Sequence, residues 1–370
     1  MSVGTVGLTT STADRRRRAG QRVFMGIAGS SISVEERALI RELAPGGFVL
    51  FKRNVEEPAQ VRELNRELRS LLPVSHPPLC TVDQEGGRVQ RIRAPATVWP
   101  PMLWVGQVGD LRLTRDIGAA MARELRAMEF DLDFAPVADV LSNPKNPVIG
   151  DRAFGTRPDQ VGQQICAFIQ GLQSEWIIGS IKHFPGHGET SVDSHLDLPV
   201  VDKDRDELEQ VELRPFTQAI TAGVATVMSA HVLYPAWDEQ YPATMSETIL
   251  RGLLRRRLGF GGLLFSDDME MKAVRGRYPL EMQVDLASRA SVDVFLCCKE
   301  PGLQLETFET LVRLQEQDPR EDDRSTDSVR RLFALRERFL IGRPPAPELS
   351  VVGDRAHREL ALRAEAQGRV

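Results

Sequence analysis

Residues 177–188 read Ile-Ile-Gly-Ser-Ile-Lys-His-Phe-Pro-Gly-His-Gly. An apolar, β-branched run stops abruptly at Lys182-His183 and gives way to a Pro/Gly turn. Such a run lacks strict polar alternation, as expected of a strand buried on both faces. Its polar residues sit at its carboxyl end. Seven further runs have the same character: Arg22–Ala28, Gly47–Phe51, Leu79–Asp83, Phe130–Val140, Ala225–His231, Gly262–Asp267 and Val292–Cys298.

Amphipathic stretches lie between these runs, among them Val34–Leu43, Pro58–Leu72, Thr114–Met128, Pro158–Glu175, Asp206–Ala222, Ser246–Leu258 and Pro279–Ala290. Pro58, Pro158 and Pro279 suit early helix positions. Ser246 reads as an N-cap, and Ser33 with Glu36 as a capping box. Eight strand–helix units in succession favour a single (β/α)8 TIM-type barrel over a doubly wound sheet. A dinucleotide-binding turn after the first strand is excluded, because Gly26-Ile-Ala-Gly29 does not carry the glycine fingerprint.

The predicted organisation is a disordered basic tail over residues 1–21, a catalytic barrel over 22–342 and a C-terminal extension over 343–370. No second, strand-rich domain is visible. The 370 residues carry a net charge of -5, with 42% hydrophobic and 27% charged residues. That balance excludes general polyanion binding, so nucleic acid is not an expected partner. No apolar run is long enough to span a bilayer. The basic run Arg15–Arg18 lacks the apolar segment of an export signal, which makes the cytoplasm the expected location. Cys80, Cys166, Cys297 and Cys298 show neither CxxC spacing nor a dense framework, and read as buried thiols.

In a barrel, chemistry collects where strands end. The third strand runs into Asp83-Gln-Glu-Gly-Gly-Arg-Val-Gln-Arg91, the fourth ends at Asp139, the fifth at Lys182-His183, the sixth at His231 and the seventh at Asp267-Asp268. Asp267 alone could cap the next helix; five such ends together are hard to ascribe to packing. His183 and His187 are four apart, but Phe184-Pro185-Gly186 forbids the helix that would bring them onto one metal, so no metal site is expected. Carboxylates among Arg, Lys and His suit glycosides: an ionised aspartate can attack an anomeric carbon while a second group protonates the leaving oxygen. Asp193 and His195 are two apart and can hydrogen-bond on one side of an extended segment. The carboxylate would then raise the histidine's pKa and orient its ring. On spacing alone, an exposed loop pair without function is the favoured reading.

The run KHFPGHGETSVDSHLDLP (Lys182–Pro199) resembles the signature of the bacterial β-N-acetylglucosaminidases of glycoside hydrolase family 3. DQEGGRVQR (Asp83–Arg91), NPVIGDRAFG (Asn146–Gly155) and FSDDMEM (Phe265–Met271) are similar to further segments of that family, in the same order, over about residues 22 to 340. The resemblance implies Asp267 as nucleophile, His195 as general acid and then base, and Asp193 as its partner. It implies Asp83, Arg91, Arg152, Lys182 and His183 as the grip on the terminal sugar's hydroxyls. Asp268 is left with a helix-capping role and His187 with shaping the loop. The implied substrate is a terminal β-linked N-acetylglucosamine, on GlcNAc-1,6-anhydro-muramoyl peptides or chito-oligosaccharides, processed by a monomer without cofactor. Two rivals remain: a phosphorylase, in which phosphate replaces water, and a barrel that binds muropeptides without turnover.

Overall fold

The computed structural model describes residues 11–191, 194 and 197–369. Eight parallel strands form a closed ring: β1 (Val23–Gly26), β2 (Gly47–Leu50), β3 (Leu79–Val82), β4 (Leu132–Asp133), β5 (Ile178–Phe184), β6 (Thr226–Ser229), β7 (Leu263–Asp268) and β8 (Val294–Cys297). Each pairs with its neighbours in sequence, and β8 closes on β1 in the register Val23 opposite Phe295. This is the (β/α)8 barrel expected from the eight apolar runs. β4 is much shorter than its run: Pro136 offers no N–H to the ladder, and the pairing with β5 continues beyond it only as a bridge between Val137 and Lys182.

The barrel interior is a packed core. Phe265 lies edge-to-face with Phe24 and with Phe134, at centroid distances of 5.2 Å in both cases. Val49, Leu79, Leu132, Ile178, Leu263 and Val294 fill the space around them. The helix Pro319–Leu340 seals the amino-terminal end with Leu332, Leu335 and Phe339. Its arginines hold it there: Arg331 Nη1 meets Asp293 Oδ1 at 2.7 Å, just before β8, and Arg336 Nη2 donates to the Gly46 carbonyl at 2.9 Å, just before β2.

The predicted helices recur with their caps. Ser33 and Glu36 form the capping box of Val34–Leu43, prolines open Pro58–Ser70 and Pro158–Ser174, and the Ser246 hydroxyl accepts from Ile249 N–H. The single helix expected over Asp206–Ala222 is instead two, Arg205–Gln210 and Leu213–Thr221. The break at Val211-Glu212 keeps the Pro215 ring clear of the carbonyl four residues earlier, with which it would clash in a continuous helix.

The tail expected to be disordered through residue 21 is corrected for Thr12–Gln21, which is a helix. Ser11 caps it, accepting from Asp14 N–H at 3.1 Å. Arg16 pairs with Glu309 at 3.1 Å, and Arg18 with Asp322. Those acids lie on the last barrel helices, some 300 residues away in sequence, and only the closed fold brings them near. Residues 1–10 lie outside the described residues. The C-terminal extension packs through the helix Arg355–Gly368. There Glu124 Oε1 accepts from Gly353 N–H at 3.0 Å and pairs with His357 Nδ1 at 2.9 Å. All four cysteines are free thiols; Cys80, Cys297 and Cys298 are buried, whereas Cys166 is half-exposed on its helix.

Phe265 touches two other rings at the barrel centre, so Phe265→Ala is expected to lower unfolding free energy by about 3–5 kcal/mol, read by denaturant titration. A loss below about 1 kcal/mol would show that the interior is not held as described.

Candidate active site

A cleft of ≈ 310 Å³ opens at the carboxyl ends of the strands. Asp83, Arg91, Arg152, Lys182, His183 and Asp267, six of the eight residues singled out in the sequence, line it together. The other two, Asp193 and His195, lie outside the described residues.

Asp83 and Arg91 are brought together by a feature that the sequence reading did not contain. Just beyond β3 the chain forms a small antiparallel hairpin, Gln84–Gly86 with Val89–Gln90. Its turn takes Gly86 and Gly87 at φ of 101° and 57°, which glycine adopts readily. A side chain at Gly86 would also meet the Pro100 carbonyl at 2.8 Å. The hairpin folds Arg91 back so that its Nη2 reaches Asp83 Oδ2 at 3.0 Å, while its guanidinium lies 5.4 Å from the Phe51 ring centroid.

Lys182 enters from β5. Its Nζ lies 2.7 Å from Asp83 Oδ1 and 2.6 Å from Glu85 Oε1. Glu85 also grips Arg152 with both oxygens, each at 2.8 Å. The result is an alternating row: Arg91, Asp83, Lys182, Glu85, Arg152. Burial opposes ionisation of Asp83, but Lys182 and Arg91 outweigh it and hold the carboxyl well below the usual range. For Glu85 burial is likewise outweighed, by Arg152 and Lys182, and its pKa is held down to about 2. Lys182 is raised: burial works against its charge, yet the two carboxylates prevail. The sequence reading missed Glu85. Its spacing was a usable signal, since residues two apart in extended chain share a face, and Glu85 is two from Asp83.

Asp139, at the fourth strand's end, serves His183 rather than lining the cleft. Its Oδ2 meets His183 Nδ1 at 2.7 Å, and its Oδ1 accepts the backbone N–H of His183 and His187 at 3.1 and 2.6 Å. This leaves the His183 Nε2 edge for a ligand. His187 is buried and bridges the Thr190 hydroxyl at 2.7 Å and the Ser194 hydroxyl at 3.1 Å. Burial, then the neighbouring His183, lowers its pKa to about 4, so it is neutral at ordinary pH. It does shape the loop, as expected.

Asp267 and Asp268 end β7 on the cleft wall. Asp267 Oδ1 accepts the Asp268 N–H at 2.8 Å. The capping role expected of Asp268 is corrected: the following helix, Lys272–Arg275, has Met271 at its N-cap with no side-chain bond. Asp268 Oδ1 accepts instead from Glu270 N–H at 3.2 Å, a tight local turn that aims the segment. Burial, then the charges of Glu270 and Asp267, raise its pKa to about 7. His231, past β6, takes no place on the cleft wall; its Nε2 lies 3.1 Å from the Asp268 carbonyl.

The matches to known proteins agree with this site. The model of the Glycosyl hydrolase family 3 N terminal domain matches residues 17–335. The beta-hexosaminidase of Nitrosomonas eutropha is 39% identical over 285 residues, which is 75% of this chain and 81% of that protein. That of Xylella fastidiosa (strain M23) is 40% identical over 282 residues, 75% of this chain and 83% of that one. Among solved structures, a family 3 β-N-acetylglucosaminidase from Paenibacillus sp. str. FPU-7 superposes with a TM-score of 0.91 at 36% identity, over 95% of this chain and 68% of that one. NagZ from Neisseria gonorrhoeae, solved with N-trifluoroacetyl-D-glucosamine, gives 0.78 at 30% identity, over 94% of this chain and 98% of that one. A barrel with this cleft and these relatives is a glycoside hydrolase. The chain belongs to glycosyl hydrolase family 3, among proteins of the β-hexosaminidase type.

Asp83 and Glu85 have lowered folded pKa values, so their stabilisation is complete above the unfolded carboxylate range and is lost as pH falls through the folded values. Thermal melts from pH 5 to pH 2 should therefore fall more steeply for the wild type than for Asp83→Asn. Parallel slopes would show that Asp83 contributes nothing to the acid limb.

Proposed function

We propose that the chain is a retaining exo-β-N-acetylglucosaminidase that works through a covalent glycosyl-Asp267 intermediate. The observation that carries this is the gathering of Asp267 with Asp83, Arg91, Arg152, Lys182 and His183 around one cleft. Its ≈ 310 Å³ falls at the small end of the roughly 300–1,000 Å³ usual for ligand pockets, which suits a single terminal sugar.

In this mechanism the cations and Asp83 orient the ring through charge-assisted hydrogen bonds, and those that a sugar hydroxyl donates to Asp83 strengthen as positive charge develops at the anomeric carbon. Asp267 attacks that carbon as the glycosidic bond breaks. His195, oriented by Asp193, gives its proton to the departing oxygen. The same imidazole then takes a proton from water, which displaces Asp267 and regenerates the enzyme. The roles of Asp193 and His195 rest on the sequence resemblance. The names of the relatives support the N-acetyl sugar; Neisseria gonorrhoeae NagZ, solved with an N-acylated glucosamine, supports it further. The natural substrate we favour is the GlcNAc-anhydro-muramoyl peptide of cell-wall recycling, cleaved in the cytoplasm by a monomer. Among the described residues no helix is long and apolar enough to cross a membrane.

The first test is turnover of 4-nitrophenyl β-N-acetylglucosaminide beside the matching β-glucoside, in phosphate buffer. We expect strong preference for the N-acetyl sugar, release of free GlcNAc rather than GlcNAc-1-phosphate, and loss of nearly all turnover in Asp267→Ala. An active Asp267→Ala enzyme would refute the nucleophile.

Leaving groups separate the acid from the rest of the site. His195→Ala should lose far more rate on substrates with a poor leaving group than on activated aryl glycosides, since the latter need little protonation. Equal losses on both would remove His195 from that role.

A further inference from the structure

We propose that Glu85 is a positioning residue for the reaction, setting both the charge of Lys182 and the aim of Arg152. This rests on the reading above in one respect, that Lys182 and Arg152 hold the sugar. Glu85 itself is almost fully buried, with 1% of its surface exposed. It stands in the wall of the same cleft, between the two cations, and both its oxygens are committed to them.

The geometry gives it two tasks. One oxygen pair grips the Arg152 guanidinium edge-on at 2.8 Å and 2.8 Å, a two-point contact that fixes the plane of the group. The Arg152 Nη1 donates to the Val148 carbonyl at 3.1 Å, so the side chain is held from a second side. The Oε1 atom also forms a close ion pair with Lys182, 2.6 Å from its Nζ. An ammonium has three N–H bonds. Asp83 accepts one of them at 2.7 Å, and with Glu85 alongside, the ammonium still has N–H to offer a sugar hydroxyl.

The second task is electrostatic. Lys182 is 3% exposed, and Arg152 faces it across Glu85. The other groups that bear on Lys182 are Asp83 from the hairpin and Asp133 at the end of β4. Asp133 is fully buried, and burial raises its pKa well above the usual carboxylate value. The row therefore sets three cations against two carboxylates. Removing the charge of Glu85 leaves Lys182 and Arg152 as neighbouring buried cations with one anion between them and Arg91. The group that yields is the lysine, because a guanidinium does not give up its proton in proteins.

Glu85→Gln keeps the shape and removes the charge. The alkaline limb of competitive inhibition by free N-acetylglucosamine, which needs no proton from His195, should move at least about one pH unit lower. Binding of free N-acetylglucosamine as a competitive inhibitor should weaken by roughly tenfold or more, with KM rising more than kcat falls. A merely structural role would leave the pH limb where it was. Glu85→Asp restores the charge with a shorter reach, so the limb should return toward wild type while the binding loss persists. The charge of Lys182 is read directly by NMR titration of its side-chain carbon in unliganded protein. In the wild type it should titrate above the ordinary lysine value, and in Glu85→Gln lower than in the wild type. A wild-type Lys182 that titrates at or below the ordinary value overturns the proposal without any variant. So does a Glu85→Gln enzyme with unchanged pH limb and inhibitor binding. Because the titration needs no substrate, a wild type inactive on the N-acetyl sugar would instead overturn the activity assigned above.

Discussion

A strand in a parallel sheet satisfies its backbone only if it has a neighbour on each side, and a ring of eight such strands meets that demand without leaving an edge. All else in this structure follows from that closure. The strands run one way, so their carboxyl ends share one rim. The side chains that point inward are packed against each other, three phenylalanines at the centre among them, and this leaves no channel. Polar residues at strand ends can then be placed around a cleft by a scaffold that does not itself need to be polar. The catalytic end is open, and the opposite end is closed by one amphipathic helix.

Around that rim the same chemical group has its pKa pushed in opposite directions. Asp83 and Glu85 are kept ionised by cations within hydrogen-bond reach. Asp133, fully buried, and Asp268, on the cleft wall, are pushed upward by burial and by neighbouring acids. For Asp83 and Glu85 the cations are delivered by separate arms of the fold: β5 brings Lys182, the loop after β4 brings Arg152 and the hairpin brings Arg91. Neighbouring carboxylates thus differ in how readily they ionise because of what the fold packs beside them, not because of residue type.

Much of this was legible in the sequence, for physical reasons. A doubly buried strand must be apolar along its length, so the eight runs could be counted. Their polar ends had to lie together once the barrel was accepted, and Asp83, Arg91, Arg152, Lys182, His183 and Asp267 do line one cleft. What was missed depends on pairings between distant elements. The hairpin after β3 folds Arg91 onto Asp83, and Glu85 finds Arg152 and Lys182 only across strands. Asp139 has no visible purpose until His183 stands beside it. The helix Thr12–Gln21 looked like a charged tail because its arginines meet their acids some 300 residues later. Asp193 and His195 lie outside the described residues, so their assignment still rests on the motif.

The pairing of β1 with β8 also bears on how the protein is made. As the chain leaves the ribosome, β1 emerges early and gains β2 on one side. Its other side must wait for the last strand. The helix that stoppers the barrel is later still, and it carries the acids that receive Arg18 and Arg22. Until then a nascent chain presents an open apolar trough with an unpaired margin, the kind of surface that invites wrong partners. The protein thus depends on late synthesis to quiet its first strand, and a ribosome stalled before β8 would leave a species that chaperones, not its own fold, must shield.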